Sequence, residues 1–114
     1  MSGRRSKRKG AEGERELARE ISRLFGVEAC RGRQYHGGSD SPDVRAAIPG
    51  VHWESKRAER FNAYDALQQA QSDAGESVPV VAHRRNSRPW IVCLYLDDLP
   101  RLAVPLYLTL SENA

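Results

Sequence analysis

Asp43, Glu54 and Lys56 are the residues of this 114-residue chain whose types and spacing suit hydrolysis of a phosphodiester. They lie in one stretch: Ser41, Pro42, Asp43 and Val44, a turn through Pro49 and Gly50, then Val51, His52, Trp53, Glu54, Ser55 and Lys56. If both arms are strands, side chains two apart share a face, so Glu54 and Lys56 point the same way and Asp43 meets them across the hairpin. A divalent cation there would lower the pKa of a bound water, polarise a phosphoryl oxygen and offset the charge that builds up during displacement. Mg²⁺ needs only one or two carboxylates, with water and substrate filling its remaining positions. Asp43 and Glu54 meet that need, and the Ser55 carbonyl offers a third oxygen. Lys56 would position or deprotonate the attacking water, or stabilise developing negative charge. Glu14 would complete the site through a metal-bound water. The competing account is a turn residue at Asp43 and a surface Glu54/Lys56 pair, worth under about 1 kcal/mol.

Positioning these groups requires a small set of elements. Residues 1–8 are basic and aperiodic and are expected to form a flexible arm, with one domain over residues 9–114. From about Lys9 to Phe25, Leu17, Ala18, Ile21, Leu24 and Phe25 recur at helical spacing, and Gly26 is a stop signal. Glu14 sits on the edge of that apolar stripe, with Glu16 and Glu20 further round. Val27–Cys30 reads as a short strand, and the segment from Arg31 to Ser41, rich in Gly, as a loop that either approaches a phosphate or merely connects. The hairpin follows. Ala63, Leu67, Ala70 and Ala74 mark a second helix ending at Gly75, Val78–Ala82 a strand, His83–Pro89 a basic turn, and Trp90–Leu96 a buried strand. A short helical turn is expected from Asp97 to Pro100. Pro100 and Pro105 argue against a long helix in the apolar tail, Ala103–Leu110. The order predicts an α/β (α+β) fold with a central mixed sheet of about four to five strands flanked by helices.

Charge is concentrated at particular places. Arg4, Arg5, Lys7, Arg8 and Lys9 precede the first acid, so of the net charge of +3 the remainder of the chain is net negative. Further bases gather at Arg31 and Arg33, at Lys56, Arg57 and Arg60, and at Arg84, Arg85 and Arg88. Each cluster suits phosphate contacts or is simply a solvated face. No apolar run approaches the 18 or so residues of a membrane span, and the basic start lacks a signal peptide's apolar core. The expected location is the cytoplasm, with no membrane partner. Cys30 and Cys93 have neither zinc-site nor disulfide-scaffold spacing and are read as reduced core thiols. His36, His52 and His83 form no ligand pattern, and none is assigned to a metal.

The stretch Lys9-Gly10-Ala11-Glu12-Gly13-Glu14-Arg15-Glu16-Leu17, followed by Arg31, Ser39, Asp43, Glu54 and Lys56, resembles the PD-(D/E)xK nuclease superfamily. Within it, the chain is similar to the small Holliday-junction resolvases of archaeal type and their phage-borne relatives, over roughly residues 9–96. The resemblance implies a restriction-endonuclease-like fold, with Glu14, Asp43, Glu54 and Lys56 as catalytic residues. Asp43, Glu54, Ser55 and Glu14 would hold the metal, Mg²⁺ with Mn²⁺ able to substitute. The nucleic-acid path would run over Lys9, Arg15, Arg31, Arg33, Ser39, Arg57, Gln69, Arg84 and Arg85. Gln69 stands where some relatives carry a helix-borne glutamine, although helix-surface polarity explains it equally well. The loop before Asp43 is longer and richer in Gly than the family's, and the segment after Lys56 has no residue-by-residue match.

The expected function is therefore a Mg²⁺-dependent DNA endonuclease that resolves four-way junctions as a homodimer, in recombination or phage DNA processing. The tail at Leu106, Tyr107 and Leu108, or the second helix, would supply the dimer interface. Three alternatives stand beside it: the same chemistry on linear or nicked duplex in repair or restriction, an RNA nuclease, and a DNA-binding protein without catalysis.

Overall fold

The computed structural model describes residues 2–32 and 41–113. Its elements in chain order are α1 (Ser2–Phe25), β1 (Ala29–Arg31), β2 (Val44–Ala46), β3 (Val51–Arg57), α2 (Ala63–Ala74), β4 (Val78–Arg84), β5 (Ile91–Cys93), a 3-10 turn (Leu96–Asp98) and α3 (Leu99–Glu112). The strands form one mixed sheet in the order β1-β2-β3-β4-β5. Only β3 and β4 run parallel, and α2 is the crossover that joins them.

Two apolar layers sandwich the sheet. Leu17, Ala18 and Ile21 of α1 and Leu102 of α3 pack with Val44, Trp53, Val80 and Ala82 on one face. Ala66, Leu67 and Ala70 of α2 pack with Val81 on the other. Alternation along β3 therefore sends Trp53, Ser55 and Arg57 toward α1, and His52, Glu54 and Lys56 toward the side of α2. The sheet is thus α+β with helices on both faces, as the element order implied. Asn62 caps α2 by accepting the Asp65 amide at 3.1 Å, and Gly26 and Gly75 end α1 and α2 as expected.

Several expectations need correction. The backbone of residues 2–8 continues α1, where an aperiodic arm was expected. Unbranched Arg and Lys are good helix formers, and Gly10 costs only about 1 kcal/mol, so sequence periodicity understated the helix. The strand at Trp90–Leu96 shrinks to the three residues of β5. It lies at the sheet edge with Ile91 and Val92 exposed, not buried on both faces. The tail is a helix after all. Pro100 falls in the first turn, where an N–H would have no partner anyway, and Pro105 is tolerated inside. Leu102 and Thr109 are buried on its inner side, and the Thr109 hydroxyl donates to the Pro105 carbonyl at 2.7 Å. Both cysteines are free, but Cys30 is exposed on the edge strand β1, contrary to its reading as a core thiol.

Among the described residues no helix is long and apolar enough to cross a membrane.

Candidate active site

Asp43 is fixed from three sides. Its amide donates to the Trp53 carbonyl at 2.9 Å, and its carbonyl accepts the Gly32 amide at 2.8 Å. Its Oδ2 accepts the Ser55 amide at 2.9 Å. The carboxylate thus takes the place of a ladder hydrogen bond just beyond the Val44–Trp53 pair, where β2 and β3 part. Gly32 is needed here, since a Cβ would lie 2.1 Å from the Pro42 carbonyl oxygen.

Glu54 follows Trp53 on β3 and shares its face with His52. Both are buried, at 9% and 4% exposure, and His52 Nε2 lies 2.6 Å from Glu54 Oε2. The Asp43 carboxyl is pushed up to about 7, first by burial and then by the neighbouring Glu54 charge, against the lowering effect of the Ser55 amide. A hydrogen bond with Glu54 and the charge of Glu14 add to the rise. Two acids held together in a poorly hydrated place resist double ionisation unless a cation joins them.

Lys56 is half-buried on the same face and makes no hydrogen bond or ion pair among the described residues. Glu14 reaches the neighbourhood because α1 approaches β3 closely at Gly13, where a Cβ would come within 2.6 Å of the Arg57 Cβ. It is held by Arg31 Nε at 2.8 Å, so it touches the Asp43–Glu54 pair only through its field. Among the described residues no three His, Cys, Asp or Glu side chains gather closely enough to hold a metal ion by themselves. The donors that fit a hard cation are the two carboxylates, with the Ser55 amide held against one of them. That is a set suited to Mg²⁺, which takes few protein ligands.

The basic residues divide. Arg31 is tied to Glu14, and Arg84 Nη1 to Glu16 at 2.6 Å, with Arg57 Nε 3.8 Å from the same oxygen. All three are engaged by acids, Arg57 and Arg84 sharing the single charge of Glu16, and these two build the α1–sheet contact. Gln69 bonds Asp73 one turn along α2, at 3.3 Å, which is the helix-surface reading. Lys9, Arg15 and Arg85 have no ion-pair partner among the described residues. Arg33 and Ser39, with most of the Gly-rich loop, lie outside the described residues. Gly32, in the loop read either as approaching a phosphate or as merely connecting, gives its amide to the Asp43 carbonyl.

His52 is the residue that sequence reasoning passed over. The search was for His-x-x-His ligand spacing, whereas the signal was its place two residues before Glu54 on one strand face. His83, by contrast, is structural: its Nε2 pairs with the Ala58 carbonyl at 2.8 Å and its ring stacks on Phe61 at 4.1 Å.

No family model matches the chain. No curated protein matches it in sequence. Among solved structures the chain is similar to Hjc, a Holliday junction resolvase from the archaeal hyperthermophile Archaeoglobus fulgidus. The TM-score is 0.55 at 22% identity, over 75% of this chain and 72% of that one. What the two proteins have in common at that distance is the fold, a mixed sheet between helices of the resolvase-like nuclease type.

Proposed function

We propose that this chain is a metal-dependent DNA endonuclease that cuts four-way junctions, using Mg²⁺, with Mn²⁺ able to replace it. The observation that carries the reading is the half-buried Asp43 against the buried Glu54, on the strand face of a Lys56 that has no ion pair among the described residues, in a fold similar to that of a Holliday junction resolvase. When bound, the cation supplies Lewis acidity and an activated water nucleophile. Asp43 and Glu54 hold it through their carboxylate oxygens, with the Ser55 carbonyl as a third donor. The Ser55 amide fixes the Asp43 carboxylate before substrate arrives, so little reorganisation is needed. Lys56, with no ion pair among the described residues, can hold a proton near the attacking water or face the charge on the phosphate. Glu14, held by Arg31, adds negative field that favours a cation over an anion at this place. Lys9, Arg15 and Arg85, which have no ion pair among the described residues, are bases available to the DNA backbone.

Symmetric cuts in a branched substrate call for two sites related by a two-fold axis, so the reading includes a homodimer. The apolar outer side of α3 supports it. Val104 is 60% exposed, Tyr107 69% and Leu108 52%, and Leu99 and Leu110 are exposed beside them. A helix apolar on both sides normally has a second surface against it.

The test is cleavage of a labelled four-way junction beside the matching linear duplex, with Mg²⁺ or chelator, for wild type and Asp43→Ala. Paired symmetric nicks in the junction alone, lost with chelator and with the substitution, are expected. Metal-dependent cutting of both substrates would leave a nuclease of linear or nicked duplex. Binding without cutting would leave a non-catalytic DNA-binding protein.

A further inference from the structure

A buried imidazole in a sheet face needs a reason, because a valine would fill the space without a polar group to satisfy. His52 is 4% exposed, and its hydrogen bond among the described residues is the 2.6 Å contact with Glu54 Oε2. The two residues are two apart on β3, so the strand itself fixes their relation. Glu54 is nearly as enclosed, and without His52 its Oε2 would lose the donor that the strand holds against it in a poorly hydrated place. With Glu54 ionised, His52 Nε2 carries the hydrogen and donates it.

We propose that His52 is a positioning residue that commits Glu54 Oε2 to the protein and leaves Oε1 as the single oxygen offered to a divalent cation. The proposal rests on the reading of Asp43 and Glu54 as the metal-holding pair. Carboxylate ligands that are themselves hydrogen-bonded keep their orientation, and loss of such support typically costs about 10–100-fold in metal affinity. Without His52, nothing on the strand face holds Oε2, and the Glu54 carboxylate is free to rotate away from the orientation that offers Oε1. His52 thereby sets how much metal the site needs, while the chemistry of the loaded site depends on Asp43, Glu54 and Lys56.

The experiment measures Mn²⁺ affinity of the full chain without DNA, from the electron paramagnetic resonance signal of free Mn²⁺, for wild type, His52→Val and His52→Gln. Alongside it, junction cleavage is titrated with Mg²⁺. Expected for His52→Val are Mn²⁺ binding weakened about tenfold or more and a matching rise in the Mg²⁺ needed for half-maximal rate. The rate at saturating Mg²⁺ should stay within a few-fold of wild type. His52→Gln, whose amide can still reach Oε2, should recover most of the affinity. If His52→Val does not fold, His52→Asn, polar but too short to reach Glu54, takes its place with the same expectation. Unchanged Mn²⁺ affinity in a folded variant would overturn the positioning role alone, as would a loss of maximal rate at unchanged affinity. A wild type that binds no Mn²⁺ would overturn the metal-pair reading itself, and this proposal with it.

Discussion

The two faces of β3 carry charge in opposite ways. On the side of α1, Arg57 and its register neighbour Arg84 share the carboxylate of Glu16, and Arg57 also donates to the Arg84 carbonyl. On the other side, Glu54 stands with Asp43, and Lys56 has no acid paired with it among the described residues. The first arrangement is complementary and welds a helix to a sheet. The second is frustrated: like charges are brought together, and one carboxyl is kept protonated up to about 7. A protein gains nothing in stability from such a pair, so its presence argues for a ligand that resolves the conflict. Charge alone does not separate the two faces; compensation does.

Removing Lys56 should give the largest effect on this contrast. Lys56→Met is expected to lower junction cleavage by about 10²–10³-fold in single-turnover assays, with little change in melting temperature, since no ion pair among the described residues is broken. A folded Lys56→Met protein that cuts at the wild-type rate would place this lysine among ordinary surface bases.

Next in size is a backbone test of how the frustrated face is held. Gly32→Ala puts a methyl 2.1 Å from the Pro42 carbonyl and strains the hydrogen bond that anchors Asp43, with an expected cost of about 3 kcal/mol in denaturant unfolding. Unfolding unchanged by the substitution would mean that the close approach relaxes cheaply.

The pH dependence of stability sharpens the comparison further. The Asp43 carboxyl is held above its ordinary value, so between about pH 4 and 7 the folded chain keeps a proton that the unfolded chain has released. This group's contribution to the stability of the metal-free protein should therefore fall as pH rises through that window and level off above it. Asp43→Asn should remove that slope, raising the melting temperature at pH 8 by roughly a few degrees. A melting temperature lowered at pH 8 by Asp43→Asn would show that the carboxylate is compensated.

The smallest change is expected on the compensated face. Glu16→Gln leaves Arg57 and Arg84 without their shared carboxylate and should cost about 1–2 kcal/mol, with cleavage and Mn²⁺ binding intact. Loss of cleavage in folded Glu16→Gln would break the division between the faces.

Much of this was legible in the chain. The spacing of Leu17, Ala18 and Ile21 gave α1 its buried stripe, Asn62 and Gly75 bounded α2, and the period of two in Val51–Lys56 put Glu54 and Lys56 on one face. Local rules misjudged the C-terminal third. Pro105 counts against a helix in isolation, yet burial of Leu102 and Thr109 against the sheet outweighs one lost hydrogen bond. Trp90–Leu96 looked like an interior strand, because hydrophobicity reports that a residue is apolar and not whether a neighbour covers it.

The sequence by itself determined the residue types at the candidate site, the strand that carries Glu54 and Lys56, and the helix that carries Glu14, because those depend on repeats of two and 3.6 residues along the chain. Only the tertiary structure decided which charges neutralise one another. Arg31 finds Glu14 and Arg84 finds Glu16 across 17 and 68 residues of chain, leaving Lys56 without an ion pair among the described residues and Asp43 beside Glu54. Charge compensation depends on distance in space and on exclusion of water, and neither quantity is a property of any local stretch.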